Sequence, residues 1–159
     1  MDGTLNLITA QFELHNRLFK NVVEGLENNK SAQLNEYTNH AAWLAGHIVS
    51  SRYALTNVLG AGVTEPHPGL FEHGKGINPA AEYPGLDTCA KDFDEITPKL
   101  EEKLKSLTAE QLNAEGPFKV PMGQRMDQII AFFAHHEAYH IGQLGILRKY
   151  FGKEAMKYS

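Results

Sequence analysis

Four long segments of this chain repeat apolar residues at steps of three and four, which is the spacing of one face of an α-helix. They extend over residues 5–26, 40–59, 87–107 and 124–151. Strand signals are few, and no internal repeat is present. Helices of ~20–28 residues must bury their apolar faces against one another. The pattern therefore predicts an all-α fold, with a single four-helix-bundle domain over residues 1–159.

The residues that flank these segments predict the helix ends. Asp2 or Thr4 is placed to cap the first helix and Asn39 the second, because their side chains accept hydrogen bonds from free backbone N–H groups. Pro98 lies inside the third segment and should bend the helix there, since it removes one backbone hydrogen bond. The alternative is a shorter third helix that starts at Thr97 and has Pro98 in its first position.

Two connections are rich in turn-forming residues. Residues 60–85 hold four of the seven prolines and six of the fourteen glycines. Such a long connection between the second and third helices indicates one long crossover rather than a simple up-down-up-down order. Loops of this length are usually either functional or mobile, and the sequence leaves open whether this one forms a lid over a site. Residues 116–123 predict a loop with an extended stretch at 118–120, after a short capping-box turn at 108–111.

Composition and charge argue against several classes of protein. The net charge of −4, with no basic cluster longer than Arg148–Lys149, disfavours a nucleic-acid-binding protein. No apolar run approaches ~18 residues and Met1–Leu5 lacks the features of a signal peptide, so we expect neither a membrane span nor secretion. The one cysteine, Cys89, cannot form an internal disulfide and fits a cytoplasmic protein. We expect it to be a small buried residue rather than a reactive thiol.

His136 and His140 lie four residues apart in the fourth helical segment. Residues at this spacing share one helix face, with Cβ atoms ~5–6 Å apart, so both imidazoles can reach a single metal ion. Because the chain has eight histidines, such a pair would arise by chance in roughly one similar sequence in three. The pair needs a third ligand from another helix, as in other bundles. His47, in the middle of the second segment, is the best candidate, although a hydrogen-bonded core histidine would explain it too.

Three histidines with one open coordination position are typical of a catalytic zinc site. A structural zinc site usually has four protein ligands and prefers thiolates, of which this chain offers only Cys89. The metal itself is left open between zinc, nickel, iron, manganese and cobalt, because imidazole binds all of them.

The second and last helical segments together resemble the DinB-like (DinB/YfiT) superfamily of metal-dependent enzymes. The residues that carry the resemblance are Asn39, Trp43, His47, His136, His140, Gly142, Gln143 and Leu144. The resemblance implies an antiparallel-type four-helix bundle, often a homodimer, in which His47, His136 and His140 bind one divalent metal ion, zinc or nickel first. Relatives of this kind include hydrolases, and transferases or isomerases that use a low-molecular-weight thiol. The resemblance leaves the small-molecule substrate open.

The five remaining histidines have open roles. His15 is spaced with the inward residues of the first helix and could be a fourth ligand, a group that orients a ligand, or a core histidine. His40 either lines the mouth of a cavity or starts the second helix at the surface. His67 and His73 reach a substrate only if the long connection covers the site. His135 points away from the predicted ligand face, and we expect it to lie in an interface or to face a loop.

Three other side chains could assist the predicted site, and a fourth is not expected to. Tyr53 and Tyr139 could donate protons, although packing explains both equally well. Gln143, about one turn after His140, could orient a ligand or a bound water. Glu137 is offset from the ligand face, so we do not expect it to act as a general base.

We therefore interpret the sequence as that of a metal-dependent enzyme of small-molecule metabolism, either a hydrolase that activates water or a transferase that lowers the pKa of a thiol. The absence of a His-Glu-x-x-His motif disfavours a peptidase-type hydrolase. The alternative is a non-catalytic, stress-associated bundle that binds a ligand or partner, with a structural metal or none. In a third interpretation the three histidines only pack the core.

Overall fold

The computed structural model describes residues 3–71 and 74–158, without the side chain of Thr4. Its four long helices are α1 (Gly3–Val23), α2 (Ala41–Val58), α3 (Leu86–Ser106) and α5 (Met126–Tyr150). The remaining elements are a 3₁₀ turn (Glu27–Asn29), a short helix α4 (Ala109–Asn113), and the strands β1 (Glu115–Val120) and β2 (Gly123–Arg125). The predicted four-helix architecture is confirmed, with one small hairpin added. No helix in the described ranges combines the length and apolarity that a bilayer span requires.

The four long helices form a closed square. α1 packs against α3 and α5, and α2 packs against the same two helices. Consecutive helices α1 and α2 therefore lie on a diagonal, as do α3 and α5. The prediction of an order other than up-down-up-down is confirmed, but the first and third connections make the diagonal crossings. Leu55 near the end of α2 lies in one core cluster and Leu86 at the start of α3 lies in the other. The long connection therefore runs the length of the bundle and joins two parallel neighbouring helices, so the predicted long crossover is confirmed.

The interior of the bundle is apolar along its length. One cluster of buried residues contains the stacked rings of Phe19 and Phe93, whose centroids are 4.1 Å apart. A second cluster contains Phe12 and joins α1 to the other three long helices and to α4. Burial of each such side chain stabilises the fold by roughly 1.5–3 kcal/mol. Cys89 lies in the first cluster, where burial and the charge of Asp92 raise the pKa of its thiol to about 12. Its predicted burial is confirmed.

The N-cap of α2 is His40 rather than Asn39. His40 has an extended backbone, and its Nδ1 atom accepts a hydrogen bond from the backbone N–H of Trp43 at 3.0 Å. A neutral imidazole can therefore replace the side-chain oxygen that usually occupies this position. The proposed caps of the first helix, Asp2 and the side chain of Thr4, lie outside the described residues.

Helix α3 runs without interruption through Pro98. The alternative of a shorter helix that starts at Thr97 is therefore wrong. Proline cannot donate to the carbonyl of Asp94, four residues earlier. The hydroxyl of Thr97 donates to a different carbonyl, that of Phe93, at 2.6 Å. Packing of the apolar face of α3, not local propensity, keeps this helix continuous.

The segment before α5 is an antiparallel hairpin rather than a loop. Glu115 pairs with Arg125 and Val120 pairs with Gly123, with an irregularity in the register between them. The extended stretch predicted at 118–120 is thus the end of a longer strand, and α5 starts two residues later than predicted. The capping box predicted before it is confirmed at the start of α4.

Candidate metal centre

Three imidazoles from two helices meet at one point of the bundle. His47 projects from α2, and His136 and His140 project from successive turns of α5. The Nε2 atom of His136 lies 3.1 Å from the Nε2 atoms of both His47 and His140. One ring nitrogen from each residue lies within 4.8 Å of those of the other two. The structure therefore brings together all three side chains that the sequence predicted as metal ligands.

Two of the rings are held in one orientation by oxygen acceptors. His47 Nδ1 lies 3.1 Å from the carbonyl oxygen of Phe71, and His140 Nδ1 lies 2.7 Å from Oε1 of Gln143. Because these oxygens only accept, both Nδ1 atoms carry the proton and donate. Each Nε2 atom in these two neutral rings then keeps a lone pair, which points into the cluster. Gln143 thus makes the contact expected of a residue that orients a ligand.

The cluster fits a divalent metal ion. The lone pairs of His47 and His140 converge on Nε2 of His136, and a single proton there could satisfy only one of them. A metal ion between the rings would satisfy all three. With Zn–N bonds of ~2.0–2.1 Å at tetrahedral angles, two ligand nitrogens lie roughly 3.3 Å apart. The observed separations of 3.1 Å are close to that value.

The surroundings favour the neutral form of His140, which is the form that binds metal. Burial lowers the pKa of His140, and its hydrogen bond to Gln143 offsets only part of this effect. His47 is equally buried, and the ring of Trp43 stacks on it with centroids 4.6 Å apart. The same indole lies edge-on to His140 at 6.3 Å. Two of the three imidazoles are thus fixed by packing as well as by hydrogen bonds.

A cavity of about 540 Å³ opens beside the cluster. One part of its wall comes from α2, where Ser51 and Ala54 follow His47 by one and two helical turns. The facing part comes from α5, where Phe132 lies one turn before His136. Two of the three imidazoles therefore face a space whose size is typical of small-molecule sites.

The rest of the cavity wall comes from the hairpin and the long connection. Phe118 and Lys119 belong to β1, and Glu65 and Phe71 belong to the connection between α2 and α3. Phe71 is almost fully buried, and its ring lies where a Cβ atom on Gly46 would be. Part of the long connection thus lines the cavity beside the three histidines, where the buried side chain of Phe71 anchors it.

A buried ion pair begins at the residue next to His136. The Nε and Nη2 atoms of Arg52 donate to Oε2 and Oε1 of Glu137 at 2.7 and 2.6 Å. The Nη1 atom of Arg52 donates to Asn16 and Thr97 at 2.7 and 2.6 Å, so the network touches all four long helices. Burial alone would raise the pKa of Glu137, but Arg52 holds it below its usual range. Glu137 is therefore the structural partner of Arg52, in agreement with its predicted offset from the ligand face.

His15 belongs to this network rather than to the metal cluster. Its Nδ1 atom lies 3.1 Å from Oε1 of Glu137, and this contact helps to lower the pKa of that carboxylate. Its ring packs edge-on against Phe12. Of the roles left open for His15, the core histidine agrees best with this position, and the cluster does not include it as a fourth ligand.

The other histidines lie away from the three imidazoles. His40 is a buried N-cap rather than a surface residue, and it lines a separate cavity of about 470 Å³ with Tyr83. His67 pairs with Asp92 at 3.0 Å. His135 is exposed on α5 and is not one of the three clustered histidines, and His73 lies outside the described residues.

The two tyrosines differ in their surroundings. Tyr53 is buried, and burial together with the charges of Glu95, Asp92 and Glu65 raises the pKa of its hydroxyl to about 12. Tyr139 is 58% exposed, and its hydroxyl accepts a hydrogen bond from Gln143 at 3.3 Å. Neither tyrosine lines the cavity beside the cluster.

Sequence reasoning missed Arg52 and Phe71. The sequence did contain a pattern that could have identified Arg52. It is the only Asp, Glu, Lys or Arg in α2, and a single charged residue in an apolar helix needs a buried partner. No sequence pattern could have identified Phe71, because its contact with His47 is made by its backbone carbonyl, which every residue has. Only the path of the long connection could reveal it.

Residues 11–144 match the family model of the DinB superfamily. The fold is also similar to that of a crystal structure of a DinB-like protein, YjoA, from Bacillus subtilis, with a TM-score of 0.62. The two chains are 21% identical, and the match covers 99% of each. No curated protein matches the sequence significantly.

Proposed function

This chain belongs to the DinB superfamily, and on that premise we propose that it is a metal-dependent enzyme of small-molecule metabolism. His47, His136 and His140 would bind one divalent metal ion, zinc or nickel first and iron, manganese or cobalt by ligand type. The observation that carries the proposal is the convergence of three imidazole nitrogens within 4.8 Å. Phe71 and Gln143 support it, because they hold two of the rings with Nε2 toward the cluster.

When bound, the ion would supply a Lewis acid that polarises a carbonyl or lowers the pKa of water or a thiol. The chain itself binds and orients the reactants. His47 and His136 face the cavity, so a small molecule can approach the centre from that side. An accessible centre supports an enzyme over the alternative of a non-catalytic bundle with a structural metal. It also argues against histidines that only pack the core.

Two reaction types agree with this site. As a hydrolase, the metal-loaded protein would release nitrophenol from nitrophenyl esters without any added thiol. As a thiol-dependent transferase, it would consume an electrophile only when a low-molecular-weight thiol is added. Measurement of both activities on one metal-loaded sample assigns the type, and absence of both would favour the binding-bundle alternative.

The metal is tested by elemental analysis of protein purified without chelators. We expect one ion per chain in the wild type and loss of that ion in His136→Ala, because removal of one of three ligands leaves too few donors. The matched control is His135→Ala, which removes the neighbouring exposed histidine and should keep the metal. A wild-type protein that contains no stoichiometric metal, and takes up neither zinc nor nickel, would overturn the proposal.

We also propose that residues 1–159 form one domain and that two copies associate. Helix α5 exposes three large apolar or aromatic side chains, Tyr139, Ile146 and Tyr150, at 58%, 58% and 63%. Such exposure on one helix is typical of an interface. A dimer in analytical ultracentrifugation that dissociates in Ile146→Lys would support this. A cytoplasmic location and the absence of a nucleic-acid partner stay predictions from cysteine content and charge.

A further inference from the structure

The cavity beside the three histidines carries two kinds of polar group. His47 and His136 line it, and so does the acidic residue Glu65. Glu65 does not belong to the cluster of side chains that could hold a metal. A molecule in the cavity could therefore contact a metal ion and Glu65 at the same time, through different parts.

The wall also presents aromatic rings. Phe132 lies 6.1 Å from His136 between centroids, with the two ring planes 31° apart. Phe133 continues the wall at 6.3 Å from Phe132, and Phe118 of the hairpin lies 6.5 Å from Phe133. Aromatic rings attract one another at centroid separations of ~4.5–7 Å. The cavity therefore favours a flat, apolar body between these side chains.

Glu65 is a carboxylate without a partner in the described part of the chain. It is half-buried, and no hydrogen bond or ion pair involves it among residues 3–71 and 74–158. Its negative charge adds to that of Asp92 and Glu95 near Tyr53. A partly desolvated carboxylate in such a field gains most from a cation that donates hydrogen bonds.

We infer that the cavity binds a small molecule with three parts: a donor group for the metal, a body about the size of one aromatic ring, and an ammonium group that pairs with Glu65. The inference rests on the proposed function, because the donor group requires the metal. Lys119 also lines the cavity, but its side chain is exposed. A substrate with a carboxylate that pairs with Lys119 is the competing outcome.

The test uses zinc-loaded full-length protein and three hydroxamates, which supply the same metal-binding group. Benzohydroxamate has no second polar group, 4-(aminomethyl)benzohydroxamate adds an ammonium group, and 4-carboxybenzohydroxamate adds a carboxylate. In titration calorimetry we expect the ammonium probe to bind roughly tenfold more tightly than benzohydroxamate, the effect of one charge-assisted hydrogen bond. Glu65→Gln should abolish this difference. The matched control Glu102→Gln, at an exposed position on α3, should preserve it.

A second pair of variants tests the aromatic space. Ala54→Phe should fill part of the cavity and weaken all three probes roughly tenfold or more. The control is Ala10→Phe, at an exposed alanine of α1, which should leave their binding unchanged. Both alanines are exposed, so neither change should prevent folding, and circular dichroism checks this.

Zinc stoichiometry, measured on every variant, separates the possible failures. A wild type that binds no zinc would overturn the proposed function and this inference with it. A wild type that binds one zinc but does not prefer the ammonium probe would overturn the inference alone. A preference for the carboxylate probe, lost in Lys119→Met, would assign the polar contact to Lys119 and would also overturn the inference.

Discussion

Single histidine residues in this chain act differently according to what each ring nitrogen faces. In His47, Nδ1 faces the carbonyl of Phe71 and donates, which leaves Nε2 available for a metal. In His40, Nδ1 faces the N–H of Trp43 and accepts, so the proton of the neutral ring lies on Nε2. The same residue type thus becomes a candidate ligand in the second turn of α2 and a cap at its start.

Because the N-cap of α2 is a buried histidine, His40, we expect the stability of the protein to depend on pH. Burial lowers the pKa of His40, and its backbone hydrogen bond offsets part of this effect. Between its folded pKa and ~6.5, the unfolded chain binds more protons than the folded one, so stability falls as the solution is acidified. In His40→Asn, which keeps an acceptor for the helix N-terminus, the unfolding free energy should fall less between pH 7 and pH 5.

Urea denaturation with a chelator present measures this difference, because bound metal has a pH dependence of its own. His135→Asn, which changes an exposed histidine of α5, should retain the wild-type slope. A slope in His40→Asn equal to that of the wild type would show that the cap is not the source.

At the scale of elements, the long connection is attached to α2 at Gly46. A Cβ atom there would overlap the ring of Phe71, and the carbonyl of Phe71 accepts from His47 one residue further along the helix. A glycine in a helix interior costs roughly 0.8–1.0 kcal/mol relative to alanine. The close approach of the connection, and with it the orientation of His47, accounts for glycine at this position.

Gly46→Ala should therefore destabilise the protein and weaken metal binding. Overpacking costs about 1–3 kcal/mol, and loss of a partner that orients a ligand costs roughly 10–100-fold in metal affinity. Urea unfolding and zinc competition titrations measure the two effects. Gly145→Ala is the matched control, because nothing lies within 4 Å of its Cβ position, and it should be neutral or stabilising. Unchanged zinc affinity in Gly46→Ala would contradict the role given to Phe71.

At the scale of the whole molecule, one guanidinium joins the four long helices. Arg52 of α2 contacts Glu137 of α5, Asn16 of α1 and Thr97 of α3. It also lies over the ring of Phe93, 3.9 Å from the centroid. Two N–H groups of Arg52 donate to the two carboxylate oxygens of Glu137, and this bidentate pairing offsets the cost of burying two charges.

Glu137→Gln should destabilise the fold by about 3–5 kcal/mol, since it leaves Arg52 as a buried charge without its anion. The midpoint of thermal unfolding should drop by roughly 6–20 °C. Glu95→Gln breaks the exposed pair with Lys99 and should cost at most about 0.5 kcal/mol. The double variant Arg52→Met with Glu137→Leu should recover most of the loss. If Glu137→Gln lowered the unfolding free energy no more than the control Glu95→Gln does, the Arg52 network would not contribute to stability as proposed.

Local patterns explain what could be predicted. Helix periodicity depends on neighbours three and four residues away, so the four long helices and the shared face of His136 and His140 follow from the sequence. His47 could be chosen as their partner because bundles place ligands on facing helices. The N-cap of α2 was missed by one residue, because propensity favours Asn39 while geometry lets His40 accept the hydrogen bond.

The sequence by itself determined the helices, the pair of histidines on one face and the resemblance that points to a third. Only the tertiary structure decided which groups orient those rings and what surrounds them. The contacts that matter join residues far apart in the chain: 24 positions from His47 to Phe71, 85 from Arg52 to Glu137 and 89 from His47 to His136. No local spacing encodes such contacts, because they depend on how the connections cross the bundle and which backbone groups are left facing inward.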